Sequence, residues 1–185
     1  MKSKIYLIII IICFISFTLK SENDFVSTNL KIQLNNDKNI TFKNIEEDEI
    51  IKGTLYGNII SSEDSNFNDA NLECDFIGRS YKGRGFSCGF AVIEDLQGFC
   101  YIKDENNKGT LITSWNCNTT AAFNGDPNCS GKLNIIQGFG LFAGVAGYGK
   151  INMPLAKSIK SQISFPMSLN IKIKYPLSLK KSQLN

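Results

Sequence analysis

"GFGLFAGVAGYGK", residues 138–150, sets five glycines, Gly138, Gly140, Gly144, Gly147 and Gly149, among bulky apolar residues. A stretch this bare is either a loop that cradles phosphate or strand backbone that must pass close to something. "GFGLFA" fits the G-x-G-x-x-A dinucleotide pattern. However, three more glycines follow where that motif needs a helix, and no acid stands about 20 residues on to take a ribose hydroxyl. "GVAGYGKI" is one residue from a phosphate-binding loop, with Ile151 in place of the hydroxyl that would hold magnesium. The strand reading explains more. Gly138 and Gly140 share one strand face, as do Gly147 and Gly149, so each strand can coil strongly or admit a close neighbour.

Working outward, period-two alternation recurs from Leu30 to the C-terminus. Its longest run is Ile163, Phe165, Met167, Leu169, Ile171, Ile173, Tyr175, Leu177 and Leu179, a spacing that no helix places on one side. Pro166 and Pro176 fall in the polar phase, where they predict an edge, a bend or a break. Residues 52–60, 84–93, 98–104, 109–117, 131–137 and 149–155 read as further strands, separated by turn chemistry such as "DENNKG" and "NGDPN". The acidic stretches "NIEEDE" and "SSEDSNFNDAN" read as loops, and Glu94–Asp95 as a hairpin turn. Many short strands and almost no amphipathic helix predict an all-β fold. The glycine-lined strands point to one small antiparallel β-barrel of about eight strands, calycin-like, spanning residues 22–185.

The glycine segment resembles the G-G-T-G-x-F-x-G-x-x-G-x-G signature of allene oxide cyclase barrel-like proteins, an eight-stranded calycin-type group that includes dirigent proteins. Cys100, Asp104, Gly109 and Trp115 precede it in the order seen in secreted bacterial members, so the likeness covers about residues 83–153. Gln137 and Phe139 stand where the signature has Gly and Thr. The resemblance implies architecture, because the matched positions are backbone-shaping glycines, and fold does not imply function.

Lys2 and Lys4 precede an apolar run through residues 5–19, which reads as a signal peptide over residues 1–21 and predicts a secreted or periplasmic product. Left uncleaved, the run would anchor an envelope protein to the membrane. Its removal would take Lys2, Lys4 and Lys20 from the 20 basic residues and leave 17 against 17 acids, a balance that excludes a dedicated nucleic-acid binder. The charge is uneven, since no acid follows Asp126 while lysines recur. Those lysines are either solvated strand exteriors or a basic surface for acidic lipid or glycan.

Five cysteines follow residue 21. Cys117 and Cys129 flank a polar turn-forming insert and predict a disulfide; Cys74 with Cys88 is the second expectation, leaving Cys100 free. With no histidine in the chain, no Ser-His-Asp triad or Cys-His pair can be built, and no spacing suggests a metal site or a cofactor. Glu73 and Asp75 flank Cys74 on one strand face and read as solvated. What remains is the barrel interior, either filled by side chains or holding a small hydrophobic molecule, with Phe86, Phe90, Tyr101, Trp115 and Ile135 as the expected lining. The functions in view are non-catalytic binding of such a molecule or of a surface partner, a cyclase or isomerase acting on a lipid-derived substrate, and an anchored envelope protein.

Overall fold

The computed structural model describes residues 25–36, 40–46, 48–81, 92–121, 127–155 and 163–176. These residues form nine strands: β1 (Val26–Asn36), β2 (Thr41–Ile45), β3 (Asp48–Ser62), β4 (Asn71–Tyr81), β5 (Val92–Lys103), β6 (Gly109–Ala121), β7 (Pro127–Gly140), β8 (Ala146–Pro154) and β9 (Ser164–Lys174). All pairings are antiparallel between neighbours in order, and β1 pairs both β9 and β3. The sheet therefore closes on itself as an eight-stranded up-and-down barrel, which removes the free edges an open sheet would expose. β2 is the ninth strand. It extends the line of β1 along β3, pairing Thr41–Ile45 with Asp48–Lys52.

Alternation decides what lies inside. On β9 the residues 165, 167, 169, 171 and 173 are buried and those between them are exposed or half-buried. β1, β3 and β6 send in Leu30, Ile32, Leu34, Ile51, Leu55, Ile59, Leu111 and Trp115 in the same way. Ile163, the first residue of the alternating run, stands outside at 76% exposure, one residue before β9 begins.

The glycine segment closes one end of the barrel. Gly138 points inward, and a Cβ there would lie 1.9 Å from the carbonyl oxygen of Phe142, so only a bare position lets the chain fold back over the barrel mouth. Gly140, at φ +58°, opens the turn. Leu141 N–H donates to the Lys108 carbonyl, and Phe142, Ala143 and Val145 bond back to Phe139, Gly140 and Phe142. Phe142 is fully buried and stacks on Phe67 at 5.3 Å between ring centroids. Phe67 comes from the 3-10 turn Ser65–Phe67, whose N-cap Asp64 accepts the Tyr175 hydroxyl at 2.5 Å. Gly144 lies in the same turn at φ +75°, and Gly147 and Gly149 face inward on β8 against the backbone of β9.

Several expectations need correction. Cys74 is bonded to Cys100, because β4 and β5 pair with those two residues opposite each other on the inner face, Cα atoms 4.1 Å apart. Cys88 lies outside the described residues. Cys117–Cys129 forms as expected, linking β6 and β7. Glu94–Asp95 is not a hairpin turn: β5 runs through it, with a register shift against β4 and Asp95 at φ 51°. "NIEEDE" is not a loop but the β2–β3 hairpin, turning at Glu46, φ 55°. "DENNKG" is the β5–β6 turn, where the Asp104 carboxylate accepts the Gly109 N–H at 2.5 Å and the Asn106 N–H at 3.2 Å.

Candidate functional site

The lumen is packed. Strands of alternating pattern aim Leu55, Leu72, Ile102, Leu133, Ile151 and Met167 at one another around Trp115 and the Cys74–Cys100 bridge. The space left among them is about 10 Å³, room for one water at most. Of the expected lining, Trp115 is inside and 7% exposed, and Ile135 is half-buried against the core. Tyr101 is a correction: it lies on the outer face, 36% exposed. The reason is the phase of β5, where Phe99, Tyr101 and Lys103 alternate with Cys100 and Ile102, and the phase that carries the lysine must face water. Phe86 and Phe90 lie outside the described residues, as does the 5–19 segment.

A catalytic reading needs an ionisable group beside a cavity. Buried Asp104 is consumed by its turn, and buried Tyr175 by the end plug. The Tyr175 phenol is pushed well above its usual range by burial first, then by its hydrogen bond to the Asp64 carboxylate and by that negative charge, while Asn66 pulls the other way. Glu49 is buried on the inner face of β3, and neither the lumen space nor the outer groove is lined by it. The described residues bring no group of His, Cys, Asp or Glu together as metal ligands.

The open space is outside. A groove of about 680 Å³ crosses the outer wall over β3 to β7. Strand register aligns two rows of side chains along it. One runs Lys52, Ile77, Gln97, Asn116, Lys132, and the other Thr54, Asp75, Phe99, Ser114, Asn134. Thr54 donates to the Asp75 carboxylate at 2.6 Å. Phe99, 51% exposed, presents an apolar face among amides, a hydroxyl, a carboxylate and two ammonium groups. Such a surface suits an extended polar partner with apolar faces. Trp115 lies beneath it, and its indole N–H is buried without a hydrogen-bond partner among the described residues.

The sequence reading missed this groove because Asp75 and Lys132 read as solvated and the other strand positions were given no site role; the available signals were Phe99 and Ile77, apolar residues in the polar phases of β5 and β4. Comparison of the chain with protein-family models, with curated proteins and with solved structures returns no match.

Proposed function

We propose that this chain is an exported, non-catalytic binding protein that works from the outside of its barrel. The carrying observation is the contrast between a lumen with about 10 Å³ left and an outer groove of about 680 Å³. A drug-sized ligand needs roughly 300 Å³ or more, so the groove has room and the lumen does not. Two disulfides are compatible with an oxidising compartment, which supports export. Kinship with the allene oxide cyclase barrel-like group belongs to the proposal as a shared architecture, without its chemistry.

The competing site, a hydrophobic molecule in the lumen, is tested with a fluorescent fatty acid. Trp115 is the sole tryptophan and lines the lumen, so its emission reports occupancy. The expected result is no change in Trp115 emission and no rise in probe fluorescence. Stoichiometric uptake with quenching of Trp115 would move the site inside and sink the proposal.

A further inference from the structure

The lysines gather on one side of the wall. β7, β8, β9 and β1 are consecutive around the barrel, and not one Asp or Glu occurs in them. Lys31, Lys132, Lys150 and Lys172 stand exposed on these strands, and none forms an ion pair with a described acid. On the opposite side, over β3 to β5, basic and acidic residues interleave: Lys52, Arg79 and Lys103 with Glu73, Asp75 and Asp95.

Lys132 faces Lys150 directly across β7 and β8. Like charges so placed repel and destabilise the pair unless an anion lies over them. Lys172 is one diagonal step from Lys150, beside Tyr148. A shallow depression of about 520 Å³ runs over the same strands and takes in Lys31, Lys150, Asn152 and Asn170. Glu63 stands at the margin of this surface, held by two hydrogen bonds from Asn29, whose amide oxygen accepts from Asn170.

We propose that this wall binds an acidic polysaccharide, the lysines taking its carboxylate or sulfate groups and the asparagines its hydroxyls. The inference rests on the outer-wall reading above and names the chemistry of the partner. An amide both donates and accepts, as a sugar hydroxyl does. A bilayer surface would call for apolar side chains between the lysines to enter the interface. Here the outward positions around Lys132 and Lys150 are mostly polar, Ser130, Asn134, Asn152, Ser168 and Asn170, and the one aromatic among them, Tyr148, packs against Phe25.

The test is binding of the purified chain to heparin, polygalacturonate and neutral dextran, and to vesicles of phosphatidylglycerol and phosphatidylcholine, at low and at high salt. Binding to one or both acidic polymers, loss at high salt and no binding to dextran are expected. The double variant Lys132→Gln/Lys150→Gln should weaken the interaction about tenfold, since fewer counterions are released from the polyanion. The control Lys103→Gln/Lys108→Gln, on β5 and its turn to β6, should stay within about twofold under the same counterion argument. Equal loss in both variants would show unspecific charge attraction and overturn the assignment. So would indifference to both acidic polymers, or binding to vesicles alone. Lumen occupancy by the fatty acid would defeat the outer-wall reading by itself, whatever the polymers do.

Discussion

Thr28 is 1% exposed, and its hydroxyl has no hydrogen-bond partner among the described residues. A buried hydroxyl left unpaired costs about 1–3 kcal/mol, and valine keeps both the shape and the strand preference without it. Thr28→Val should therefore raise stability by about 1 kcal/mol, seen as a melting temperature higher by about 2–4 °C. An unchanged or lower melting point would mean that the hydroxyl is satisfied after all. Tyr175 carries the pH dependence. Its folded pKa is raised, so its contribution is whole below the unfolded value near 10 and is lost as pH climbs beyond it. Tyr175→Phe should lose about 1 kcal/mol at neutral pH with the hydrogen bond to Asp64. It should also lack the steep alkaline fall of the parent. Parallel melting curves from pH 9 to about 12, a window set by the phenol's ordinary pKa near 10, would refute this.

The turn after β7 shows what a whole element does. Gly138, Gly140 and the buried Phe142 act together: two bare positions let one large ring fill the barrel mouth. Phe142→Ala should cost about 3–5 kcal/mol through the cavity it opens against Phe67. Gly138→Val, whose Cβ would collide with the Phe142 carbonyl, should cost about 1–3 kcal/mol although it adds apolar volume. Denaturant unfolding of the two variants checks both values. The disulfides tie other elements: Cys117–Cys129 closes a separation of 12 residues and Cys74–Cys100 one of 26. In the chain-entropy model they contribute about 3 and about 3.5 kcal/mol. Replacing each pair by serine should rank in that order in urea unfolding, and the reverse order would show that burial of the sulfurs outweighs chain entropy.

At the scale of the molecule, closure joins the first strand to the last. β1 is zipped to β9 over ten residue pairs running from Val26↔Ile173 to Asn35↔Ser164. Deleting residues 163–185 would leave β1 and β8 as two open edges and expose the inner face. Such a chain should bind a hydrophobic dye, aggregate and show no cooperative melt, whereas a cooperative transition would mean that the remaining sheet is a folding unit without closure. Because closure pairs distant segments, refolding of the intact chain should be slow, in the millisecond to second range typical of barrels rich in non-local pairings.

Much of this was legible in the sequence, for a local reason. A strand shows opposite faces every second residue, so the alternation of β9 and the inward glycines of β8 announce themselves without any knowledge of the neighbours. The all-β class, the antiparallel barrel and the Cys117–Cys129 bridge followed from such patterns and from a short polar insert. The errors were non-local. Cys74 meets Cys100 only because β4 and β5 pair in one register, and Asp95 sits in a bulge only because Gly78 of β4 lies between two register pairs. Tyr101 was assigned inward on its aromaticity, while the phase of β5 was set by Lys103 and by the bridge at Cys100. By itself, then, the sequence determined that the chain lies in strands with one apolar face. Tertiary structure alone decided that the residues of that face fill the lumen and that the lysines of four separate strands share one wall, because both depend on which strands become neighbours when the barrel closes.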